Sequence, residues 1–573
     1  MNKKLIFLIV SFLYMVTATA QPLLIPYPRS IEMREGYFAL TAKTGIINLS
    51  DKNNARLLKH YIEEDININL HEQRGDNNIF LITNRKLKES LGAEGYRMNI
   101  SADSIVIEGA ENAGVFYGIQ TLRQLAAQNR LAIPCMEIFD KPEYEWRDFM
   151  LDEARHFKGK VVVKQLLEEM AYLKMNKFHW HLTDDQGWRI EIEKYPRLTQ
   201  IGAYRDSTQI GGWNSPLYDV NIHGGYYTRE DIREIVDFAA ERHIEIVPEI
   251  EMPGHTSAAI AAYPELGSLK TPPTVATYFN PTWGVFNVAD ERVIQFIQDV
   301  FDEIFDLFPS RYIHIGGDEV HPESWEANSD ISRFMEEKNL DNYSEVQMLF
   351  TNRVASLIHS KGRTMIGWND IMGKNIHEWA DSDNESTHAL APYAVVQFWK
   401  GDTALIAEAL KQGHRVINSS HRDTYLDYNY TKIPLKKAYD FSPFPKGIDR
   451  KYKPLLLGSG CQMWSEWIPR IEDMQRQVFP RIAAYAESGW TIENKKNFTR
   501  FSTSLSQILI PRWKQKNIAA SRINQYRCVS THIVLDSFSF GNKKITKKYF
   551  VIDYPINIQT CPNYITRILF YDY

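Results

Sequence analysis

Between residues 143 and about 490 the chain repeats one pattern: a short apolar run stops at a polar or glycine-containing end, and in most cases a helical stretch follows. The runs are Trp146–Glu153, Lys177–Asp184, Ile244–Glu251, Tyr312–Glu319, Arg363–Asp370, Ala394–Lys400, Arg415–Ser420 and Leu455–Glu466. The stretches between them carry helical periodicity. Leu166, Met170 and Leu173 share one face; Ile232, Val236 and Ala239 share another, on a helix that opens with Thr228 and Asp231 in capping-box spacing. Val293, Ile297, Val300 and Ile304 line a third. Eight strands alternating with helices predict an α/β fold, a (β/α)8 TIM barrel. The link between the sixth and seventh runs is short, so a doubly wound open sheet is the alternative.

A barrel of this kind concentrates chemistry at the C-terminal ends of its strands. Acids, histidines and tryptophans collect at those ends here: Asp152 and Arg155, His181 and Asp184-Asp185, Glu249 to His255, Asp318-Glu319, Trp368 and Asp370, Trp399, Trp464 and Glu466. A core strand needs none of them, so the pattern predicts one polar cavity. Its centre is Tyr312-Ile-His-Ile-Gly-Gly-Asp-Glu319, which reads as a buried strand breaking at Gly-Gly and presenting two neighbouring carboxylates. Neighbours in a regular strand point to opposite faces, so both acids enter one cavity only where the chain turns away.

Ahead of the barrel, residues 21–142 mix short strands (Gly45–Leu49, Asn78–Ile82, Ser104–Glu108) with helices over Ala55–Glu64 and Asn112–Gln128. This is a small α+β domain without chemistry of its own. The barrel domain is expected over 143–515 with a C-terminal helix, its last amphipathic segment running from Trp490 to about Lys516. Residues 516–573 form a tail with eight Lys/Arg against three Asp and no Glu. It reads as a β appendage, an interaction tail or a loosely ordered terminus, and no role is assigned to it.

Residues 1–20 read as a signal peptide: Lys3 and Lys4, an apolar stretch from Leu5 to Val16, then Ala18-Thr-Ala20. Export to the periplasm, the surface or the medium is expected, with no membrane span in the mature protein. The net charge of −5 gives no reason to expect nucleic acid as a partner. The four cysteines, Cys135, Cys461, Cys528 and Cys561, show no CxxC spacing and argue against a disulfide framework or thiolate metal site, although Cys528 and Cys561 could pair. Thirteen Trp and thirty Tyr lean towards a sugar-binding cleft.

Two chemistries compete for the cavity. His179-Trp-His181 puts two imidazoles on one strand face, as metal-dependent barrel hydrolases do, with His255, His314 and His321 as further candidates. Glycoside hydrolysis instead needs a carboxylic acid to protonate the leaving oxygen and a group that stabilises an oxocarbenium-like centre. Asp318 and Glu319 suit that, with His255 placed to contact Glu319 and help set its pKa.

The motifs carry a resemblance. Met150-Leu-Asp-Glu-Ala-Arg-His-Phe157, His179-Trp-His-Leu-Thr-Asp-Asp-Gln-Gly-Trp-Arg189, Pro248-Glu-Ile-Glu-Met-Pro-Gly-His255, His314-Ile-Gly-Gly-Asp-Glu319, Gly367-Trp368 and Trp464-Ser-Glu466 resemble glycoside hydrolase family 20, the β-N-acetylhexosaminidases, in that family's order. The resemblance covers about residues 21–510, the leading α+β domain included. It implies substrate-assisted retention, in which the substrate's own 2-acetamido oxygen attacks C1 and gives an oxazolinium intermediate. By motif match Asp318 would hold the acetamide nitrogen as an ionised carboxylate, and Glu319 would be the proton-carrying general acid and then the base. Tyr425 would donate to the acetamide oxygen. Trp368, Trp399 and Trp464 would wall the pocket, and Arg155, Asp427 and Glu466 would bind the terminal sugar's hydroxyls. Asp184 and His255 would support Glu319.

The implied activity is exo-acting release of terminal β-linked GlcNAc or GalNAc from oligosaccharides or glycoconjugates, without cofactor or metal. A non-catalytic sugar-binding homologue, a disaccharide-releasing relative and the metal hydrolase using His179 and His181 are the alternatives. Three positions depart from the family pattern. Glu251 stands where Asp is common; Asn369 replaces an acid, implying a weaker contact near the acetamide pocket; and Glu153 interrupts an apolar position. The choice between GlcNAc and GalNAc, the natural glycan and the oligomeric state are not encoded in these motifs.

Overall fold

The computed structural model describes residues 21–129, 132–270, 273–279, 281, 283–374, 376–377 and 385–521, together with the backbone of three strands beyond them. The signal-peptide reading of residues 1–20, and Cys528 and Cys561, lie outside the described residues. Chain contacts divide the protein into two compact units, residues 1–143 with 172–174 and 490–508, and the remainder.

The first unit is built on a six-stranded sheet: β1 (Ser30–Ala39), β2 (Thr44–Leu49), β3 (Asn77–Thr83), β4 (Tyr96–Ile100), β5 (Ser104–Gly109) and β6 (Ala132–Asp140), in the order β1-β6-β4-β5-β3-β2. Helix α1 (Lys52–Ile66) starts where Asp51 accepts from the Asn54 N–H and ends at left-handed Asn67. Helix α2 (Asn112–Asn129) is buried from Gly114 to Ala126, more completely than the one-sided face read from its sequence. Strands β1, β4 and β6 were not read from the sequence. β1 is an edge strand whose Glu32, Arg34 and Glu35 obscure its alternation, and β6 carries Pro134, opposite Tyr37 beside a register shift in β1.

The second unit contains a closed barrel of eight parallel strands, as the sequence predicts. They are β7 (Trp146–Asp152), β8 (Lys177–His181), β9 (Glu245–Glu249), β10 (Tyr312–His314), β11 (Thr364–Trp368), β12 (Val395–Phe398), β13 (Arg415–Asn418) and β14 (Leu456–Met463). Every strand occurs where expected and all eight stop short of the expected end, because the residues there leave the ladder. Low in the barrel, Trp146, Val247, Ile366, Val395, Ile417 and Leu457 pack into an apolar plug. At the strands' C-terminal end the interior becomes aromatic instead, with Met150, Trp368, Tyr425 and Trp464 together.

Among the outer helices, Arg229–Ala240 has the expected Thr228/Asp231 capping box, but Ile235 rather than Val236 is fully buried with Ile232 and Ala239. Helix Ile510–Gln515 is held to helix Lys160–Tyr172 by Arg512 and Trp513, which both donate to buried Glu169. Beyond residue 521 the backbone of Val529–Phe540, Lys543–Tyr554 and Leu569–Phe570 pairs as an antiparallel sheet. Among the described residues no helix is long and apolar enough to cross a membrane.

Candidate active site

Strand β10 ends at His314, and the next turn is what delivers the acids. Gly316 and Gly317 take φ of +64° and +86°, and Glu319 itself is left-handed at +48°. That conformation is costly for a residue with a side chain, and it persists where surrounding structure enforces it. A Cβ at Gly316 would lie 1.6 Å from Oε2 of Glu251. The bare Cα therefore makes room for the longer acid at the position where the family pattern favours Asp.

Asp318 is buried, and its Oδ1 meets no donor among the described residues. Burial pushes its carboxyl up to about 7, with Asp370 and Glu319 adding to the effect and His255 opposing it. The sequence reading requires an ionised Asp318, and burial penalises that ionisation; a donor to Oδ1 or a developing positive charge would relieve the penalty. Glu319 reaches solvent, its side chain 32% exposed.

Behind Glu319 stands the expected support. Nε2 of His255 lies 3.8 Å from Oε2 of Glu319, a charge contact rather than a hydrogen bond. Nδ1 of His255 is 3.3 Å from Asp184 and 3.2 Å from Asp185. Burial works against a charged His255, but Asp184 and Asp185 hold its pKa well above the ordinary value. Asp184 is in turn held well below the carboxylate range: burial raises it, and Arg155 and His255 outweigh burial. Asp185, given no role by the sequence reading, also anchors the next loop by accepting from the backbone and hydroxyl of Ser257.

Arg155 is the other pole. Its guanidinium lies 2.8 Å from Asp184, 3.3 Å from Asp152 and 3.9 Å from Glu466, and it sits over the ring of Trp464. The loop that carries it is fixed by Arg189, which donates to the Glu153 and Ala154 carbonyls, and by Arg205, which donates to the Arg155 carbonyl. Glu153, the departure from the apolar pattern, accepts from the Lys158 N–H and the Tyr227 hydroxyl and so ties the same loop down. Arg155, His255, Glu319 and Glu466 line one cleft of about 250 Å³.

The aromatic residues pack together at the C-terminal end of the barrel. Trp368 and Trp464 have ring centroids 5.8 Å apart, and Trp399 stacks parallel to Tyr425 at 6.2 Å. Burial raises the Tyr425 phenol well above its usual range, so it stays a donor. Asp427 is likewise raised, by burial and by Glu466, and its buried Oδ1 has no partner among the described residues. Of the residues singled out by sequence, Arg155, His255, Glu319 and Glu466 line the cleft, while Trp368, Tyr425 and Trp464 pack in one cluster with Trp399 against it.

His179 and His181 sit in a buried network in which His179, Glu249 and His314, and likewise His181, Asp184 and Glu251, bring ligand-type atoms within 4.8 Å of one another. The two imidazoles converge on Oε2 of Glu249, at 2.9 and 2.5 Å, while His314 and the Trp368 indole reach Oε1 at 2.8 and 3.0 Å. The other nitrogen of His181 meets Asp184 at 3.0 Å. Burial alone would lower the His181 pKa, but Glu249 and Asp184 lift it to about 10. An imidazolium held between two carboxylates has no lone pair for a metal.

Two contributors were missed. Asp370 accepts the Glu319 N–H at 3.2 Å and the Trp399 indole N–H at 2.8 Å, while His377 lies 2.6 Å from its Oδ1. Asp370 was visible as an acid at a strand end, but nothing local links it to Glu319, and His377 lies in no motif. Asn369 is tied to the end of the next strand. Its oxygen accepts from the Trp399 N–H at 2.8 Å while its amide donates to the Lys400 carbonyl at 3.0 Å, a pairing that an ionised acid could not make.

Residues 144–493 match the family model of the glycosyl hydrolase family 20 catalytic domain, and residues 21–141 match that of domain 2 of the same family. A β-hexosaminidase of Porphyromonas gingivalis is 33% identical over 85% of this chain, and the chain spans 63% of that protein's length. A β-hexosaminidase of Vibrio furnissii is 33% identical, covering 81% of this chain and 76% of its own length. Among solved structures, a β-N-acetylhexosaminidase of Bacteroides fragilis superposes with a TM-score of 0.73 at 30% identity, covering 87% of this chain and 97% of its own. An exo-β-N-acetylglucosaminidase of Vibrio harveyi in complex with N-acetylglucosamine superposes at 0.77 and 28% identity, with 87% and 78% covered.

Proposed function

Because the chain belongs to glycosyl hydrolase family 20, we propose that it is an exo-acting, retaining β-N-acetylhexosaminidase removing terminal β-linked GlcNAc or GalNAc. The observation that carries this reading is the buried Oδ1 of Asp318, which lacks a donor beside the cluster of Trp368, Trp464 and Tyr425. A 2-acetamido group supplies what that arrangement lacks: an N–H for Asp318, a methyl for the tryptophans and a carbonyl oxygen for the Tyr425 hydroxyl.

Held so, the carbonyl oxygen attacks C1 and the glycosidic bond breaks, while Glu319 gives its proton to the departing oxygen. The positive charge that develops on the oxazolinium is offset by Asp318, which thereby recovers the ionised state that burial resists. Glu319, now a carboxylate, takes a proton from water, which opens the ring at C1 with overall retention. Placing the nucleophile within the substrate makes the first step intramolecular, worth several kcal/mol of barrier, up to ~7–11 in the best cases. Arg155, Asp427 and Glu466 bind the hydroxyls at the closed end, which supports removal of one terminal sugar at a time. The signal-peptide pattern of residues 1–20 supports action outside the cytoplasm, on glycan or amino-sugar oligomers.

The test is hydrolysis of 4-nitrophenyl β-GlcNAc by the purified chain, alongside Asp318→Asn and Glu319→Gln, with EDTA in parallel. Activity that survives EDTA and falls by at least two orders of magnitude in both variants is expected. Activity abolished by EDTA, or absent throughout, would overturn the reading in favour of metal chemistry or sugar binding.

A further inference from the structure

The loop after the second barrel strand carries an aromatic ring that the catalytic reading does not use. Thr208–Ile210 and Leu217–Asp219 pair as a short hairpin, and Trp213 stands at its tip after Gly211 and Gly212, both of positive φ. Trp213 is 60% exposed, yet it lines the same cleft as Glu319, His255 and Arg155. Among the described residues Trp213 is the one tryptophan exposed to this degree. This one is also braced. Its ring meets Trp467 edge-on at 5.3 Å, and Trp467 meets buried Phe279 at 4.8 Å. The tip is pinned as well. Gln209 donates from its backbone to the Thr277 carbonyl, accepts from the Phe279 N–H, and donates its amide to the Ser215 carbonyl across the turn.

A fixed, half-open aromatic face at the rim of a sugar pocket needs an occupant. The terminal sugar is accounted for by the buried groups, Arg155, Asp318, Trp368, Tyr425 and Trp464. What protrudes past Glu319, the group that protonates the leaving oxygen, is the leaving group itself. We propose that Trp213 is a platform for the leaving-group residue, stacking its indole against a pyranose ring and so favouring substrates whose penultimate unit is a sugar. This rests on the hexosaminidase reading above. The bracing by Trp467 and Gln209 lowers the ordering cost of that contact, since the ring is already in place.

The test compares two substrates with similarly basic leaving groups: N,N′-diacetylchitobiose, which leaves as a sugar, and methyl β-N-acetylglucosaminide, which leaves as a single carbon. Trp213→Ala should lower kcat/KM on the disaccharide about tenfold, mostly through KM, and change the methyl glycoside less than about twofold. Trp213→Phe should keep most of the disaccharide activity. Val220→Ser, an exposed change on the same loop, should match the unaltered protein on both substrates. Equal losses on the two substrates for Trp213→Ala would overturn the proposal and place the ring at the terminal-sugar site or in loop stability; no loss on either would make it a spectator. If the unaltered chain cleaves neither substrate, the hexosaminidase reading fails first and the platform falls with it.

Discussion

The backbone N–H of Glu319 donates to Oδ1 of Asp370, 51 residues further on, at 3.2 Å. The other oxygen of the same carboxylate holds the indole N–H of Trp399 at 2.8 Å. One side chain therefore sets both the left-handed turn that presents the acid and a ring packed against the aromatic cluster. Burial raises Asp370, and His377 with Trp399 more than compensates, leaving it ionised. In Asp370→Asn one of these donors would face an amide N–H instead of an oxygen. Losing a hydrogen bond to a charged group costs about 1.5–3 kcal/mol, so kcat/KM should fall roughly tenfold to a hundredfold. Steady-state kinetics on an aryl glycoside would check this; unchanged kinetics would remove Asp370 from the site.

The Asp318 carboxyl, raised by burial to about 7, makes the acidic limb of the pH profile informative. A raised carboxyl is neutral below its pKa, so the free enzyme loses the anion, and kcat/KM falls, as pH drops through that region. The limb should lie above the ordinary carboxylate range in kcat/KM and move lower in kcat, where the bound acetamide stabilises the anion. A profile whose acidic limb sits at an ordinary carboxylate value in both would contradict this.

The same shift bears on stability. The native state binds the Asp318 proton more tightly than the unfolded chain, so its contribution is fully present below the unfolded carboxylate pKa, about 4, and is lost as pH rises towards about 7. Asp318→Asn removes the ionisation and should melt higher than the parent at pH 8, on the order of 1–3 °C, with the gap closing in acid. Thermal unfolding at pH 4 and pH 8 measures both ends.

Gly316 is the least replaceable residue of the turn. Alanine there must adopt a φ of +64° and places its Cβ 1.6 Å from Oε2 of Glu251. Strain and overpacking together should cost at least about 3 kcal/mol. Gly316→Ala should lower Tm by several degrees and abolish turnover, whereas Gly92→Ala, at φ +68° with nothing within 4 Å, shows the cost of the backbone alone.

Arg155→Lys tests the hydroxyl-binding pole. Lysine keeps the charge but lacks the fork that reaches Asp152, Asp184 and Gln186 together. A loss in kcat/KM of roughly a hundredfold is expected, with a raised KM as its larger part. A change confined to kcat would place Arg155 away from the sugar.

The barrel was legible because each strand is a short apolar run and each helix a one-sided stripe, and both periodicities are local properties of the chain. The edge strand β1 and the proline-bearing β6 were not, since charge on an exposed face and a proline beside a bulge both mask alternation. Strand ends were read too long for a related reason. The expected strands counted their polar ends as ladder, whereas at Gly316 and Gly317 the positive φ has already ended it.

The site divides along the same line. Which residues could do the chemistry followed from residue types at strand ends and from motif order, since those are properties of neighbours in the chain. Four relationships did not: Asp370 with Glu319, Asn369 with the backbone at Trp399, Arg189 with the loop of Arg155, and the three imidazoles and one indole that converge on Glu249. Each joins segments brought together by closure of the barrel, and each side chain had several partners of suitable type. His179-Trp-His181 shows the consequence most plainly. Its spacing allowed a metal, and only the approach of Glu249 from one neighbouring strand and Asp184 from the next turn made His181 a charged donor. Local patterning sets the alternation of elements and the inventory of reactive groups; which of them ionise and which pair depends on burial and charge–charge distance, and these exist only once the barrel is closed.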